Sequence, residues 1–253
     1  MNDIGSLDFL NMIKNQGSSK VVQPSTKSAV KPKAPISSEN NIGDHKSRIT
    51  SIDDNINANQ KNVPIVNDRT IIAVIDTETN WHNEVMSVGI AIANTMDFKC
   101  IDKKYYILTP ECYIGGYFSS ALHMRNLIEI TGSRKQIMQE IRQYLDEQGI
   151  RKILAYNAKF DYSHLLELQD YEWYDIMRLA AYKQYNSAIP DHLPCCKTGR
   201  LKTDYGVEPI THLLTGDSRY SETHNALCDA VDELRIVELL GKSIEEYECG
   251  RIG

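Results

Sequence analysis

Two carboxylates stand one residue apart at the end of an apolar run. Asp76 and Glu78 follow Ile71 to Ile75 in the sequence IIAVIDTETN. Five consecutive apolar residues predict a strand that is buried on both faces. Because side chains alternate across a strand, both carboxylates should point to the same side. Like charges at the edge of a core repel each other and lose hydration, which favours a divalent cation as their partner. Taken alone, the pair also suits a solvated strand end.

A second segment, YNAKFD, carries Asn157, Phe160 and Asp161 directly after another apolar run. If that run forms a strand beside the first one, Asp161 reaches the same edge of the sheet as Asp76. The alternative is local: Asn157 caps the next helix, and Asp161 interacts favourably with the helix dipole.

A third segment, HNALCDAVDE, places His224 just before the last predicted helix and Asp229 inside it. Asp229 lies beside the apolar stripe of that helix rather than on it. Asp232 and Glu233 are predicted to be solvent-exposed acids. His224 also suits a surface position, so this segment alone does not establish a site.

In this order, the three segments resemble the DEDD (DnaQ-like) 3′→5′ exonuclease superfamily, in its DEDDh branch, over residues 69–246. The tyrosine branch has Tyr four residues before the last Asp, where this chain has Asn225. Asn80 and Trp81 stand where family members commonly have Thr-Gly, a departure that affects the turn near the substrate's terminal nucleotide. The residues that carry the resemblance are Asp76, Thr77, Glu78, Thr79, Asn157, Ala158, Phe160, Asp161, His224, Ala226 and Asp229.

The resemblance implies two Mg²⁺ or Mn²⁺ ions held by four carboxylates. Asp76 would bridge both ions, Glu78 and Asp229 would hold one, and Asp161 would support the second. Hard cations prefer such oxygen ligands. His224 would act as the general base that takes a proton from the attacking water.

The implied reaction is the 3′→5′ removal of nucleoside monophosphates from single-stranded DNA ends, in proofreading or repair. Thr77, Thr79, Asn157 and Phe160 are expected to contact the substrate, although capping and core packing explain such residues equally well. A 3′→5′ exoribonuclease, or a nucleic-acid-binding adaptor that retains the fold, remains an alternative. The motifs do not distinguish DNA from RNA.

The predicted fold class is α/β, a ribonuclease H-like mixed five-stranded sheet flanked by helices. Periodicity predicts strands at 71–77, 84–94, 103–110 and 151–157, and a fifth strand at the start of 172–185. It predicts helices at 119–130, 133–149, 158–169, 207–214 and 225–241, and a helical second half of 172–185.

The chain as a whole reads as a cytoplasmic protein. It has 253 residues, 42% of them hydrophobic, and a net charge of −6. It shows no secretory signal, no membrane span, and six scattered cysteines that we expect to be reduced thiols. Residues 1–68 contain eight Lys/Arg and seven Asp/Glu, so residues 69–253 carry the other 20 basic and 27 acidic side chains, a net charge of −7.

The predicted domains are a tail at 1–68 and an exonuclease domain at 69–253. Residues 17–67 are rich in Ser, Lys, Pro and Asn, a composition that predicts a disordered linker. Residues 7–16 could form a short amphipathic helix that docks on a protein partner. The alternative is that this segment folds back onto the domain.

Overall fold

The computed structural model describes residues 70–253, so the predicted tail at 1–68 and helix at 7–16 lie outside the described residues. The described strands form one mixed sheet of seven strands in the order β4-β3-β2-β1-β5-β6-β7. The strands are β1 Ile71–Thr79, β2 Val85–Asn94, β3 Cys100–Leu108, β4 Glu129–Gly132, β5 Lys152–Ala155, β6 Glu172–Asp175 and β7 Arg251–Ile252.

Helices cover both faces of the sheet, which confirms the α/β, ribonuclease H-like class. They are α1 Arg134–Glu147, α2 Lys159–His164, α3 Met177–Ala180, α4 Val207–Thr215 and α5 Ala226–Leu240. Ile72 and Val74 of β1 belong to the core beneath α3, α4 and α5. Ala73 and Ile75 belong to the core beneath α1 and α2. Because side chains alternate across β1, this strand contributes residues to the hydrophobic cores on both faces of the sheet.

Strand β1 lies in the middle of the sheet because its residues are apolar on both faces. It pairs antiparallel with β2, so that Asp76 lies opposite Gly89. It pairs parallel with β5, with Val74 beside Leu154. The carboxyl ends of β1 and β5 therefore meet at one edge, where α/β proteins commonly bind ligands.

Helix α5 approaches this edge closely at Gly89. A Cβ atom on Gly89 would lie 2.0 Å from the carbonyl oxygen of Ala226, the first residue of the helix. Only glycine leaves room for the helix backbone at that point. The first turn of α5 consequently lies directly over β2, next to the residues that end β1.

The predicted helix at 119–130 is wrong. The segment forms one 3₁₀ turn, Ser119–Ala121, and then continues to strand β4, which pairs parallel with β3. Two side chains use carbonyls that an α-helix would need: Tyr105 Oη donates to the Leu122 oxygen at 2.8 Å, and Asn225 Nδ2 donates to the Ala121 oxygen at 2.8 Å. Tertiary hydrogen bonds thus override the local helical pattern.

The predicted count of five strands is short by two. The additions are β4 and the two-residue β7, which lie at the two edges of the sheet. The helix predicted at 158–169 is also shorter, because α2 stops at His164 and a 3₁₀ turn, Leu166–Leu168, follows. The other predicted strands and helices agree with the structure to within a few residues at each end.

All six cysteines are free in the structure. Within residues 70–253, no helix combines the length and the apolar character that crossing a lipid bilayer requires.

Gly89→Ala should destabilise the domain strongly, because a methyl group would meet helix backbone, which cannot move aside without displacing α5. We expect a loss of about 3 kcal/mol, the upper end of the usual range for overpacking, measured by urea unfolding. Gly149→Ala is the control: apart from its chain neighbours, no atom of residues 70–253 lies within 4 Å of the added Cβ, and its positive φ of 69° is what opposes the change. Equal losses in the two variants would contradict the close-approach argument.

Candidate active site

Asp76 and Glu78 lie at the end of β1, on the side that faces α5. Both side chains are partly buried. Burial raises the pKa of Asp76, and the nearby charge of Asp161 raises it further. Burial likewise raises the pKa of Glu78, and Asp76 and Asp229 add to the effect. The two carboxylates of the first motif therefore belong to a larger acidic cluster.

Asp161 reaches the same cluster from the first turn of α2 and is 2% exposed. The hydroxyl of Thr77 donates a hydrogen bond of 2.7 Å to its Oδ1 atom. Burial raises the pKa of Asp161 to about 7, although the Thr77 hydrogen bond favours the charged form. Thr77 is buried as well, so its hydroxyl orients Asp161 from within the core.

Asp229 comes from the first turn of α5 and is 3% exposed. Glu78, His224 and Asp229 each offer one possible ligand atom, and these three atoms lie within 4.8 Å of one another. Burial, followed by the charges of Asp76 and Glu222, raises the pKa of Asp229 to about 10, although the nearby backbone of His224 favours its charged form. Its Oδ1 atom is buried and has no hydrogen-bond partner in the part of the chain that the structure describes.

His224 precedes α5 in a left-handed conformation, with φ of 57°. Its ring stacks on the ring of Phe118, with centroids 4.0 Å apart and planes 19° apart. Burial lowers the pKa of His224, so the imidazole is neutral near pH 7 and can accept a proton. Asn225 then caps α5, since its side-chain oxygen accepts hydrogen bonds from the N–H groups of Leu227 and Cys228.

Two further acids border the cluster, and sequence reasoning missed both. Glu233, predicted to be exposed, is 3% exposed, and its Oε2 atom accepts a hydrogen bond of 3.0 Å from the backbone N–H of Tyr156. Glu233 is four residues from Asp229, so both side chains lie on one face of α5. This spacing is the sequence feature that predicts Glu233 near the cluster. Burial, followed by the charge of Asp76, raises the pKa of Glu222 to about 8. We find no sequence pattern that singles out Glu222.

The remaining predicted substrate residues lie near this edge with local contacts of their own. Thr79 ends β1 at an irregularity in the pairing with β2. Asn157 has a left-handed φ of 59°, and its backbone N–H donates to Asp175 Oδ1 at 2.9 Å; its side chain does not cap α2. The ring of Phe160 contacts that of His164, with centroids 4.3 Å apart. Their contact with a substrate stays a prediction.

The residues of the cluster fit a divalent cation. Among the ion pairs of residues 70–253, none involves Asp76, Glu78, Asp161 or Asp229. Buried carboxylates normally have a cationic or metal partner. The unpartnered Oδ1 atom of Asp229 is a buried acceptor of the type that hard cations bind.

No protein-family model and no curated protein sequence matches this chain. Solved structures do match. One is a 3′-exonuclease studied for 3′-end-specific recognition of a histone mRNA stem-loop, with 14% sequence identity and a TM-score of 0.50. The match covers 69% of this chain and 65% of that protein, so the chain spans about two thirds of its length.

Two other solved structures also match. The nuclease domain of 3′hExo, a DEDDh family member bound to rAMP, is 13% identical, with a TM-score of 0.47; 68% of this chain and 92% of that domain are covered. E. coli exonuclease I in complex with a dT13 oligonucleotide is 14% identical, with a TM-score of 0.49; 70% of this chain and 42% of that protein are covered. At these identities the likeness concerns the fold, and the fold is the one that the sequence motifs implied.

The carboxylate cluster should make stability in metal-free buffer fall as pH rises. The folded-state pKa values of Asp161 and Glu222, about 7 and about 8, exceed their ordinary values of 3.8 and 4.5. The folded protein therefore keeps protons that the unfolded chain has released, and this stability is lost as pH rises from about 4 through about 8. In EDTA, we expect a lower Tm at pH 8 than at pH 6, and Mg²⁺ should raise the Tm most at pH 8.

Asp161→Asn is the matched variant for this measurement, because its amide oxygen can still accept the Thr77 hydrogen bond. We expect a flatter dependence of Tm on pH in this variant and a smaller effect of Mg²⁺. A wild-type Tm that neither falls with pH nor responds to Mg²⁺ or Mn²⁺ would refute the cation-site interpretation.

Proposed function

We propose that residues 69–253 form a metal-dependent 3′→5′ exonuclease that removes nucleoside monophosphates from single-stranded DNA ends. The observation that carries this proposal is the convergence of Asp76, Glu78, Asp161 and Asp229 beside a neutral histidine, with no cationic side chain of residues 70–253 paired to them. The 3′-exonuclease fold supports the same reaction class. A fold by itself does not establish an activity, which is why the site carries the argument.

The four carboxylates would hold two Mg²⁺ or Mn²⁺ ions. When bound, divalent cations stabilise the charge of the transferring phosphoryl group and lower the pKa of the attacking water. Thr77 holds Asp161 in orientation through its hydroxyl. This hydrogen bond orients the ligand oxygens of Asp161 in advance, which reduces the rearrangement that binding requires.

His224 would act as general base in this reaction. Water would attack the terminal phosphodiester as its proton passes to the unprotonated ring nitrogen of His224. The bond from phosphorus to the 3′ oxygen of the penultimate nucleotide breaks, and that oxygen takes up a proton from solvent. The low pKa that burial imposes keeps this nitrogen unprotonated near neutral pH. Stacking against Phe118 fixes the plane of the ring. The products are a nucleoside monophosphate and a strand shortened by one nucleotide.

The direct test is digestion of matched DNA and RNA oligonucleotides, labelled at either end, by the full chain with Mg²⁺, Mn²⁺ or EDTA. We expect a descending ladder from a 5′ label, early release of a labelled mononucleotide from a 3′ label, and no product in EDTA. Digestion of RNA alone would favour the exoribonuclease alternative. Binding without hydrolysis would favour the adaptor, and shortening from the 5′ end would contradict the proposed polarity.

Asp76→Asn should abolish turnover while the fold remains intact. We expect turnover to drop more than about 100-fold, beyond what the loss of an outer-shell partner costs. The Tm in EDTA should rise, because one repelling charge is removed from the cluster. Asp97→Asn, at an exposed turn after β2, is the control and should keep wild-type turnover. Wild-type turnover in Asp76→Asn would remove Asp76 from the site.

His224→Ala should lower turnover by about 10²–10⁴-fold, the usual contribution of a general base. The wild-type rate should rise with pH as His224 loses its proton, and it should level off below the usual imidazole range because burial lowers the pKa of His224. Affinity for Mn²⁺ should change much less than turnover. His192→Ala, at an exposed position, is the control. If His224→Ala keeps the rising pH profile, another group takes the proton.

A further inference from the structure

Three aromatic rings form a row that begins beside His224. We call Trp81, Tyr117 and Phe118 the aromatic ledge. Phe118 stacks on His224 at 4.0 Å, Tyr117 lies 6.3 Å from Phe118, and Trp81 lies 4.8 Å from Tyr117, all measured between ring centroids. None of the three rings belongs to the proposed ligand set or acts as the proposed base.

The outer two rings of the aromatic ledge are largely exposed to solvent. Trp81 is 59% exposed and Tyr117 is 53% exposed, whereas the other tryptophan, Trp173, is fully buried. Exposed aromatic rings that lie side by side and continue into a site mark a surface that binds a partner or ligand.

The backbone beneath the aromatic ledge is held firmly. The N–H of Trp81 donates to the Gly115 oxygen at 2.9 Å. The side chain of Asn80 accepts hydrogen bonds from the backbone of His82 and Glu84 and donates to the Glu111 oxygen at 3.1 Å. A platform that is ordered before binding loses little entropy when a ligand stacks on it.

The loop that carries Tyr117 and Phe118 is anchored to the same elements that hold the acids. A Cβ on Gly116 would lie 2.4 Å from the Thr79 oxygen, so only glycine allows the loop to approach the end of β1 this closely. At the other side, Asn225 at the start of α5 donates to the Ala121 oxygen. The aromatic ledge is therefore fixed relative to Asp76 and His224.

We propose that the aromatic ledge binds unpaired bases of the strand whose end enters the site, and that it selects single strands over duplexes; this rests on the proposed function. Residues 69–253 carry a net charge of −7, so general electrostatic attraction to phosphates does not supply the affinity. Stacking on aromatic rings needs no charge and accepts any base. A base inside a duplex has both faces covered by its neighbours and cannot use the rings.

Intrinsic fluorescence tests this directly, because the chain has one exposed and one buried tryptophan. The full chain carrying Asp76→Asn is titrated with ten-nucleotide oligo(dT), oligo(rU) and a blunt DNA duplex, so that the strands survive. We expect saturable quenching by both single strands, since stacking does not require the 2′-hydroxyl, and none by the duplex. Adding Trp81→Phe should remove the quenching and leave the emission of Trp173.

Affinity is then measured by the anisotropy of a labelled oligo(dT) in the same background. Tyr117→Ala should weaken binding by about 5- to 150-fold, the range for the loss of one base–aromatic stack. Tyr117→Phe keeps the ring and should bind as the parent does. Tyr113→Ala is the control, because Tyr113 lies on the same loop and is 80% exposed but does not belong to the row of rings.

Hydrolysis is not needed for either readout, so failure of the proposed function would leave this experiment interpretable. Equal quenching by duplex and single strand would overturn the proposal, as would parental affinity in Tyr117→Ala. The wild-type chain could degrade oligonucleotides while its Asp76→Asn form shows no quenching. That result would overturn the base-binding role proposed for the aromatic ledge and leave the exonuclease proposal standing.

Discussion

The close contact between α5 and β2 at Gly89 determines where the residues of α5 lie relative to the acids of β1. Gly89 pairs with Asp76, and Ala226 of α5 lies where a side chain on Gly89 would be. Because the helix is this near, its first turn delivers Asp229 beside Glu78, and the residue before its cap delivers His224. A larger residue at position 89 would lift the helix and separate the acids of α5 from those of β1.

This geometry carries an electrostatic penalty that the fold itself does not relieve. Burial and mutual repulsion raise the pKa values of Asp76, Glu78, Asp161, Asp229 and Glu233. Perturbed pKa values of this kind concentrate at functional sites, where stability is lost in favour of chemistry. The neighbouring hydrogen bond from Thr77 orients Asp161 without neutralising it. A bound cation would supply the missing charge.

Much of this site follows from periodicity in the sequence. Alternation along a strand predicts that Asp76 and Glu78 share a side, and the parallel pairing of β1 with β5 brings Asp161 to the same edge. The burial of Glu233 does not follow from the apolar stripe of α5, because this helix is buried on more than one side. The segment 119–130 is not the predicted helix because Tyr105 and Asn225, which are distant in sequence, donate hydrogen bonds to its backbone carbonyls. Long-range hydrogen bonds of that kind leave no local pattern.

The aromatic ledge also depends on contacts that the local pattern does not reveal. Asn80 and Trp81 depart from the motif of the family that the sequence resembles, and in the structure these two residues join the β1–β2 turn to the loop at 111–118. The same loop reaches His224 through Phe118. The central claim is that the acids are assembled to bind divalent cations, and anomalous diffraction from crystals soaked in Mn²⁺ tests it most directly. The account predicts anomalous density in contact with the carboxylates of Asp76, Glu78 and Asp229. Well-ordered carboxylates with no anomalous density between them, at Mn²⁺ concentrations that saturate comparable sites, would contradict it.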